Sequence, residues 1–246
     1  MNSYNKIILS YIFQMDLKLK ELINLSINGA LFDIATVIYH LFKDEYVSAR
    51  LKNKLWFKFD GLRWKQIEEG PYYELSTSVL SYYEQYLKEL LQEEYEHIMF
   101  IKEKDSDLNL ETNSELEIMK NTLKNIQTNL LKINTIMDKL KNVTFKEALC
   151  KECLYFFYDP DFIGKLDWKE NLICFKDLLY DARTETIKIP EKTDMVSVYI
   201  DANYFIPQNE EEMYKLKTII EQFIHFRKNI LKKRQPKNAY HSSAFV

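Results

Sequence analysis

Glycine is scarce in this chain. Only four occur in 246 residues, at Gly29, Gly61, Gly70 and Gly164, and each stands alone. Hydrolysis of the P-loop kind needs two glycines in one short loop followed by Lys and Ser or Thr, because the backbone must wrap the phosphates closely. Gly164-Lys165 is followed by Leu166 and has no glycine upstream to complete the loop, so this sequence carries no such motor chemistry of its own. Proline is nearly as rare, at five residues. Sparse punctuation, with Leu, Ile, Lys, Glu and Tyr abundant, favours long helices over a sandwich of short strands.

Cysteine is also scarce: Cys150, Cys153 and Cys174 are too few and too clustered for a secreted disulfide framework, and a reducing compartment fits better. Cys150 and Cys153 form a lone CxxC inside a predicted helix. A four-ligand zinc site needs a second pair, and His40, His97, His225 and His241 do not supply the spacing. We therefore expect no metal and no catalytic residue. Long apolar runs are missing too: Ile7-Ile8-Leu9-Ser10-Tyr11-Ile12-Phe13 is too short to span a bilayer and lacks a cleavage site, so it reads as a soluble helix or strand. The expectation is an intracellular protein without a membrane partner.

Charge is unevenly placed. Residues 1 to 222 hold 28 Lys+Arg against 37 Asp+Glu, a balance of −9, whereas residues 223 to 246 hold six basic residues and no acid, a balance of +6. An acidic body therefore ends in a basic segment. Arg227, Lys228, Lys232, Lys233, Arg234 and Lys237 are candidate phosphate contacts, and the same residues read equally as a solubilising tail. Glu93-Glu94-Tyr95-Glu96 and Glu210-Glu211-Glu212 read as solvated helix faces.

Periodicity sets the organisation. Leu31, Ile34, Ala35, Ile38, Leu41 and Phe42 predict an amphipathic helix over 31–42. Leu55-Trp56-Phe57-Lys58-Phe59 and Leu62-Arg63-Trp64 flank Asp60-Gly61, which predicts a β-hairpin. Arg63 and Trp64 are further candidate nucleic-acid contacts, against the plainer reading that the hairpin's aromatics are cross-strand core pairs. Residues 75 to 104 predict a long helix with Leu80, Leu87, Leu91, Ile98 and Ile101 on one face. Leu116, Met119, Leu123, Ile126, Leu130, Ile133, Met137 and Leu140 step alternately by three and four, a heptad seam beginning at a Thr112/Glu115 capping box. That seam either folds back on the preceding helix or dimerises. A Thr144/Glu147 capping box opens another helix, ended by Asp159-Pro160. Three strands are then predicted over 172–175, 186–189 and 195–200, followed by a helix over 209–233 and a disordered tail from Pro236.

The fold class is thus α+β and predominantly helical: a long helical hairpin, a small β-hairpin and a short C-terminal mixed or antiparallel strand region. Four segments follow: 1–70 with a helix and the β-hairpin, 71–143 with the helical hairpin, 144–206 with a helix and short strands, and 207–246 with a helix and basic tail.

Within 144–206 the order of signals becomes specific. Phe156-Phe157-Tyr158, Leu166-Asp167, Asn171-Leu172-Ile173-Cys174-Phe175, Tyr180-Asp181 and the run from Ser197 to Tyr204 resemble the region preceding the motor in poxvirus-type primase-helicases of superfamily 3. Upstream, Asp33-Ile34-Ala35, Ile38-Tyr39, Trp56-Phe57-Lys58-Phe59 and Arg63-Trp64 also resemble that family, so the likeness runs over about residues 31 to 206. The departures are Lys176-Asp177 where the family has Asn-Gly, and Lys188-Ile189-Pro190-Glu191 where it has an arginine and a glycine. Loss of that glycine removes an easy positive-φ turn and puts the local loop geometry in question.

The resemblance implies a non-catalytic accessory or linker region of a viral DNA-replication primase-helicase, supporting DNA engagement or assembly of a hexameric motor. The chain stops where the family's motor would begin, as a separately encoded region, a truncated gene or a fragment would. ATP and Mg are then expected only with a full-length motor. The implied partners are single-stranded or forked DNA, a helicase motor or primase domain, and further copies of the chain. The implied location is the host cytoplasm or a viral replication site. Leu166, Asp167, Asn171, Phe175, Tyr180 and Asp181 are the family-motif positions. The alternative is a helical interaction module that self-associates through the heptad seam.

Overall fold

The computed structural model describes residues 15–105 and 113–234. They fall into two compact units, and each is built from two stretches of chain. One comprises the described residues up to Lys43 with Pro71–Phe156. The other comprises Asp44–Gly70 with the described residues from Phe157. The contiguous segments read from periodicity cut the chain differently, because the β-hairpin stretch 44–70 packs with residues that follow it by about a hundred positions.

Among its described residues the first unit has only helices as regular structure: α1 (Leu17–Ser26), α2 (Leu31–Phe42), α3 (Tyr72–Leu75), α4 (Ser78–Asp105), α5 (Asn113–Lys141) and α6 (Val143–Phe156). Helix α1 starts where the Asp16 carboxylate accepts the Leu19 N–H at 2.8 Å, a side-chain cap for an otherwise orphan donor. Helix α2 has the predicted bounds and buries Ile34, Val37 and Ile38 completely. Each such side chain contributes roughly 1.5–3 kcal/mol of hydrophobic stabilisation.

The heptad seam turns inward. Ile126, Leu130, Ile133 and Leu140 of α5 are buried, and α5 packs along α4. The pair runs antiparallel, since the α1 region touches the first half of α4 and the second half of α5. Ser26 and Asn24 bond Tyr83 and Tyr86, while Asn28 bonds Lys132.

The buried face of α4 is Val79, Tyr83, Tyr86 and Leu90, whereas Leu91 of the predicted stripe is exposed. Two tyrosines can take core positions because each hydroxyl finds a partner, at 2.6 Å from Ser26 and 3.1 Å from Asn24. The cap of α6 also differs from expectation: the Asn142 side chain, not Thr144, accepts the Phe145 N–H, so the helix begins two residues earlier. Thr112 lies outside the described residues, as do residues 7–13 and the segment from Pro236.

The second unit holds two three-stranded antiparallel sheets: β1 (Tyr46–Arg50), β2 (Leu55–Phe59) and β3 (Trp64–Ile67), then β4 (Leu172–Cys174), β5 (Leu179–Asp181) and β6 (Thr186–Lys188). Its α-helices among the described residues are α7 (Phe162–Lys165) and α8 (Glu210–Arg234), with a 3-10 turn at Lys192–Asp194. The predicted hairpin is β2–β3, with Phe59 opposite Trp64 and Gly61 at φ +94° in the turn. Asp60 fixes that turn by accepting the Leu62 and Arg63 N–H groups. Phe57, Trp64, Phe162 and Leu166 share one core, and a second core joins Ile173 and Phe175 to Leu216 and Phe223 of α8.

The expected strand over 195–200 does not form. Its donors and acceptors are claimed one by one: the Val196 carbonyl by Trp64 N–H, the Ser197 and Val198 N–H groups by the Asp167 carboxylate, and the Ile200 N–H by Cys174. A carboxylate that takes two consecutive N–H groups leaves no regular ladder. Strands β1 and β5 were not expected, and β5 completes the sheet that a strand at 195–200 was expected to serve.

Candidate nucleic-acid interface

The motif residues of the second unit form a frame. Asp167 sits at φ +60° and is 2% exposed. One oxygen accepts Ser197 N–H at 2.7 Å and Val198 N–H at 3.0 Å; the other accepts the Ser197 hydroxyl at 2.5 Å and pairs with Arg234 at 2.7 Å. Asn171 donates to Asp181 at 2.8 Å across the mouth of the β4–β5 hairpin. That bond, with the Arg183 N–H, holds the Asp181 carboxyl below its ordinary value. Phe175 meets Tyr204 edge-on, Tyr180 stacks on Tyr204 at 5.5 Å, and Leu166 is buried in the aromatic core.

The departures from the motif are accommodated. Phe175 N–H bonds the Leu178 carbonyl at 2.8 Å across Lys176-Asp177, neither of which takes a positive φ. The turn therefore does not need the glycine, and the Asp177 carboxylate accepts Tyr204 N–H. In the second departure, Lys188 pairs with buried Asp194 at 2.5 Å, joined by Lys169 at 3.1 Å. Burial pushes the Asp194 carboxyl up, but Lys188, the Glu191 N–H and Lys169 together outweigh it, so the net direction is down.

Helix α8 sorts the basic segment. Leu216, Ile220, Phe223, Arg227, Ile230 and Arg234 step alternately by four and three, which puts both arginines on the inward stripe. Arg227 is 3% exposed and donates to the carbonyls of Leu172 at 2.7 Å, Lys169 at 3.4 Å and Glu170. Its guanidinium thus ties α8 to the segment entering β4, and burial lowers its pKa. Lys228, Lys232 and Lys233 are exposed. Lys237 lies outside the described residues.

Arg63 and Arg234 meet at a cleft of about 550 Å³ in the second unit, lined also by Arg50, Lys65, Trp64, Ser197 and Tyr199. The lining has four cations and no carboxylate. Lys65 is paired with Asp60 at 2.7 Å and Arg234 with Asp167, both from behind the lining. Arg50 is exposed and makes no ion pair among the described residues. Arg63 is only 6% exposed, lies 3.6 Å above the Tyr199 ring, and has the Cys174 sulfur at 3.9 Å as its side-chain bonding partner. Burial raises the Cys174 pKa although Arg63 opposes this, so the thiol stays neutral and offers no counter-charge. The Arg63 Nε is buried without a hydrogen-bond partner. Trp64 faces the core, with its indole N–H bonded to the Lys192 carbonyl at 3.0 Å, so it serves as a wall.

The candidate residues are therefore brought together only in part: Arg63, Trp64 and Arg234 share the cleft, Arg227 is enclosed, and the three lysines stand on the solvent face of α8. Sequence reasoning missed Lys65, although it adjoins Trp64 in the hairpin, and missed Arg50, Ser197 and Tyr199, which join the cleft only through the fold. The inward course of Arg227 and Arg234 had a signal, the alternating steps of α8. Among the described residues no group of three or more His, Cys, Asp or Glu side chains is placed to hold a metal ion, and no helix is long and apolar enough to cross a membrane.

These features coincide with a known family. Residues 35–226 match the family described as "D5 N terminal like", and the chain belongs to it. That stretch takes in the likeness to viral primase-helicases carried by the motifs at 166–181, together with both sheets and most of α8. The chain is 25% identical over 205 residues to "Putative helicase L207/L206" of Acanthamoeba polyphaga mimivirus, covering 83% of this chain and 19% of that protein. It is 31% identical over 86 residues to "Putative helicase 121R" of Invertebrate iridescent virus 3, covering 34% of this chain and 9% of that protein. The chain thus spans about a fifth of the first relative's length and about a tenth of the second's.

Proposed function

We propose that this chain is a non-catalytic region of a viral DNA-replication primase-helicase, which holds single-stranded or forked DNA for a motor housed elsewhere and helps that motor assemble. The observation that carries this reading is the family match over 35–226, with both relatives named as helicases. Phosphate contact is supported by Lys228, Lys232 and Lys233 on the solvent face of α8 and by the cationic cleft. Such contacts neutralise the backbone without reading bases, so they follow a strand of any sequence and weaken with salt. The sequence has no loop to enclose a triphosphate, so ATP and Mg belong to the motor.

Titration of labelled single-stranded and forked DNA at low salt, alongside pull-down with a helicase motor domain from a relative, tests the proposal. Binding to DNA, to the motor or to both is expected, and failure of both rejects it.

A further inference from the structure

We propose that the cleft of the second unit is a phosphate site for a single-stranded nucleic-acid backbone, with Arg63 and Arg50 as its anion-holding groups. This rests on the DNA-contacting reading above and deepens it by naming the site.

The cleft carries uncompensated charge. Of the four cations lining the cleft, Lys65 and Arg234 have carboxylate partners and, among the described residues, Arg50 and Arg63 have none. An exposed arginine such as Arg50 needs no explanation. Arg63 does, because taking a guanidinium out of water without a counter-ion is costly, and buried charges are ordinarily paired or hydrogen-bonded throughout. The Tyr199 face and a neutral thiol repay part of that cost. They leave the net positive charge and the buried Nε unanswered. An anion in the cleft would answer the charge, and a planar guanidinium is the side chain best matched to phosphate oxygens.

The remaining lining fits a strand. Gln66 offers a neutral donor, and the cavity of about 550 Å³ is of the size that takes a small ligand. Tyr199, 39% exposed with Arg63 layered on it, gives a flat aromatic surface beside the cations. Cationic grooves with adjoining aromatics are how sequence-tolerant single-strand binders work. Two of the lining cations are braced from behind: Asp167 fixes Arg234 and the Ser197 backbone, and Asp60 fixes Lys65.

A phosphate could also arrive on a free nucleotide, so the test uses three probes on the full chain: oligothymidylate, ATP and inorganic phosphate. Affinity is measured by fluorescence anisotropy or calorimetry, and melting is followed by tryptophan fluorescence. The variants are Arg50→Gln, Arg63→Gln and, as a control outside the cleft, Lys217→Gln. Each arginine change should weaken oligothymidylate binding about tenfold, the worth of one charge-assisted contact. Each should also flatten the slope of log affinity against log salt by about 0.7, one phosphate's share on a single strand. Ligand-free Arg63→Gln should melt at or above the wild-type temperature, because a buried unpaired charge has gone; a residue with a purely structural role would melt lower.

Oligothymidylate binding that is unchanged in both arginine variants overturns the cleft site and leaves the DNA reading to the α8 lysines. Binding of ATP or phosphate without oligothymidylate overturns the strand assignment. No DNA binding by the wild type rejects both the cleft and the DNA-contacting reading. Should Arg63→Gln fail to fold, exposed Arg50→Gln decides the matter alone.

Discussion

Asp167 offers a graded test of how the second unit is held together. Its carboxylate accepts two backbone N–H groups and one hydroxyl and pairs with Arg234, all from a position 2% exposed. Asp167→Ala would strand the Ser197 and Val198 N–H groups, each worth about 1–3 kcal/mol when left buried and unmet. Forcing alanine into φ +60° adds about 1 kcal/mol, and losing the Arg234 pair adds about 1 kcal/mol because Arg234 is partly solvated. The total is about 4 kcal/mol or more, a large share of the roughly 5–15 kcal/mol that stabilises a typical domain. Asp167→Asn keeps a carbonyl for both N–H groups and tolerates the left-handed backbone, so it should cost only about 1–2 kcal/mol. Trp56, Trp64 and Trp168, the chain's three tryptophans, all lie in the second unit, so their fluorescence in a urea titration reports on it selectively. The midpoint should fall modestly for Asn and severely for Ala at unchanged slope. Equal shifts would refute the argument, because the backbone bonds would then contribute nothing beyond the ion pair.

Three further outcomes are expected. Gly70→Ala places a Cβ 2.6 Å from the ring of buried Trp56 at φ +58°, and should cost about 2–4 kcal/mol by urea denaturation, whereas Gly61→Ala at φ +94° meets open space and should cost less. Asp194→Asn should destabilise at neutral pH and not at strongly acid pH. The folded carboxyl titrates below its ordinary 3.8, so its contribution is complete above that value and is lost as pH falls through the folded-state pKa; a penalty independent of pH would contradict this. Leu130→Asp buries a charge in the α4–α5 seam and should lower the helical signal in circular dichroism. A folded protomer released from a dimer, seen by light scattering, would instead favour self-association through that seam.

Much of the helical architecture was legible because its cause is periodic. Helix α2 and the α5 seam announce themselves through apolar steps of three and four, and Asp60-Gly61 marks a turn by its backbone tolerance. What failed was decided by groups far away in sequence. The stretch 195–200 has strand composition, but Asp167 takes two of its N–H groups, and nothing local reveals that. Tyr83 and Tyr86 look like poor core residues until Ser26 and Asn24 meet their hydroxyls. The candidate site was half legible: Arg63, Trp64 and Arg234 were singled out, yet the charge run at 227–234 reads as one patch until the helix turns Arg227 inward. Arg50, Ser197 and Tyr199 join the cleft only because the unit is assembled from separate stretches of chain.

The DNA-holding role proposed for this chain requires it to grip a nucleic-acid strand through its phosphates. The most direct measurement is the affinity of the wild-type chain for oligothymidylate between about 50 and 200 mM salt, where each phosphate contact contributes a slope of about −0.7. A linear fall corresponding to several contacts is predicted; affinity that is undetectable at the lowest salt, or indifferent to salt, contradicts it.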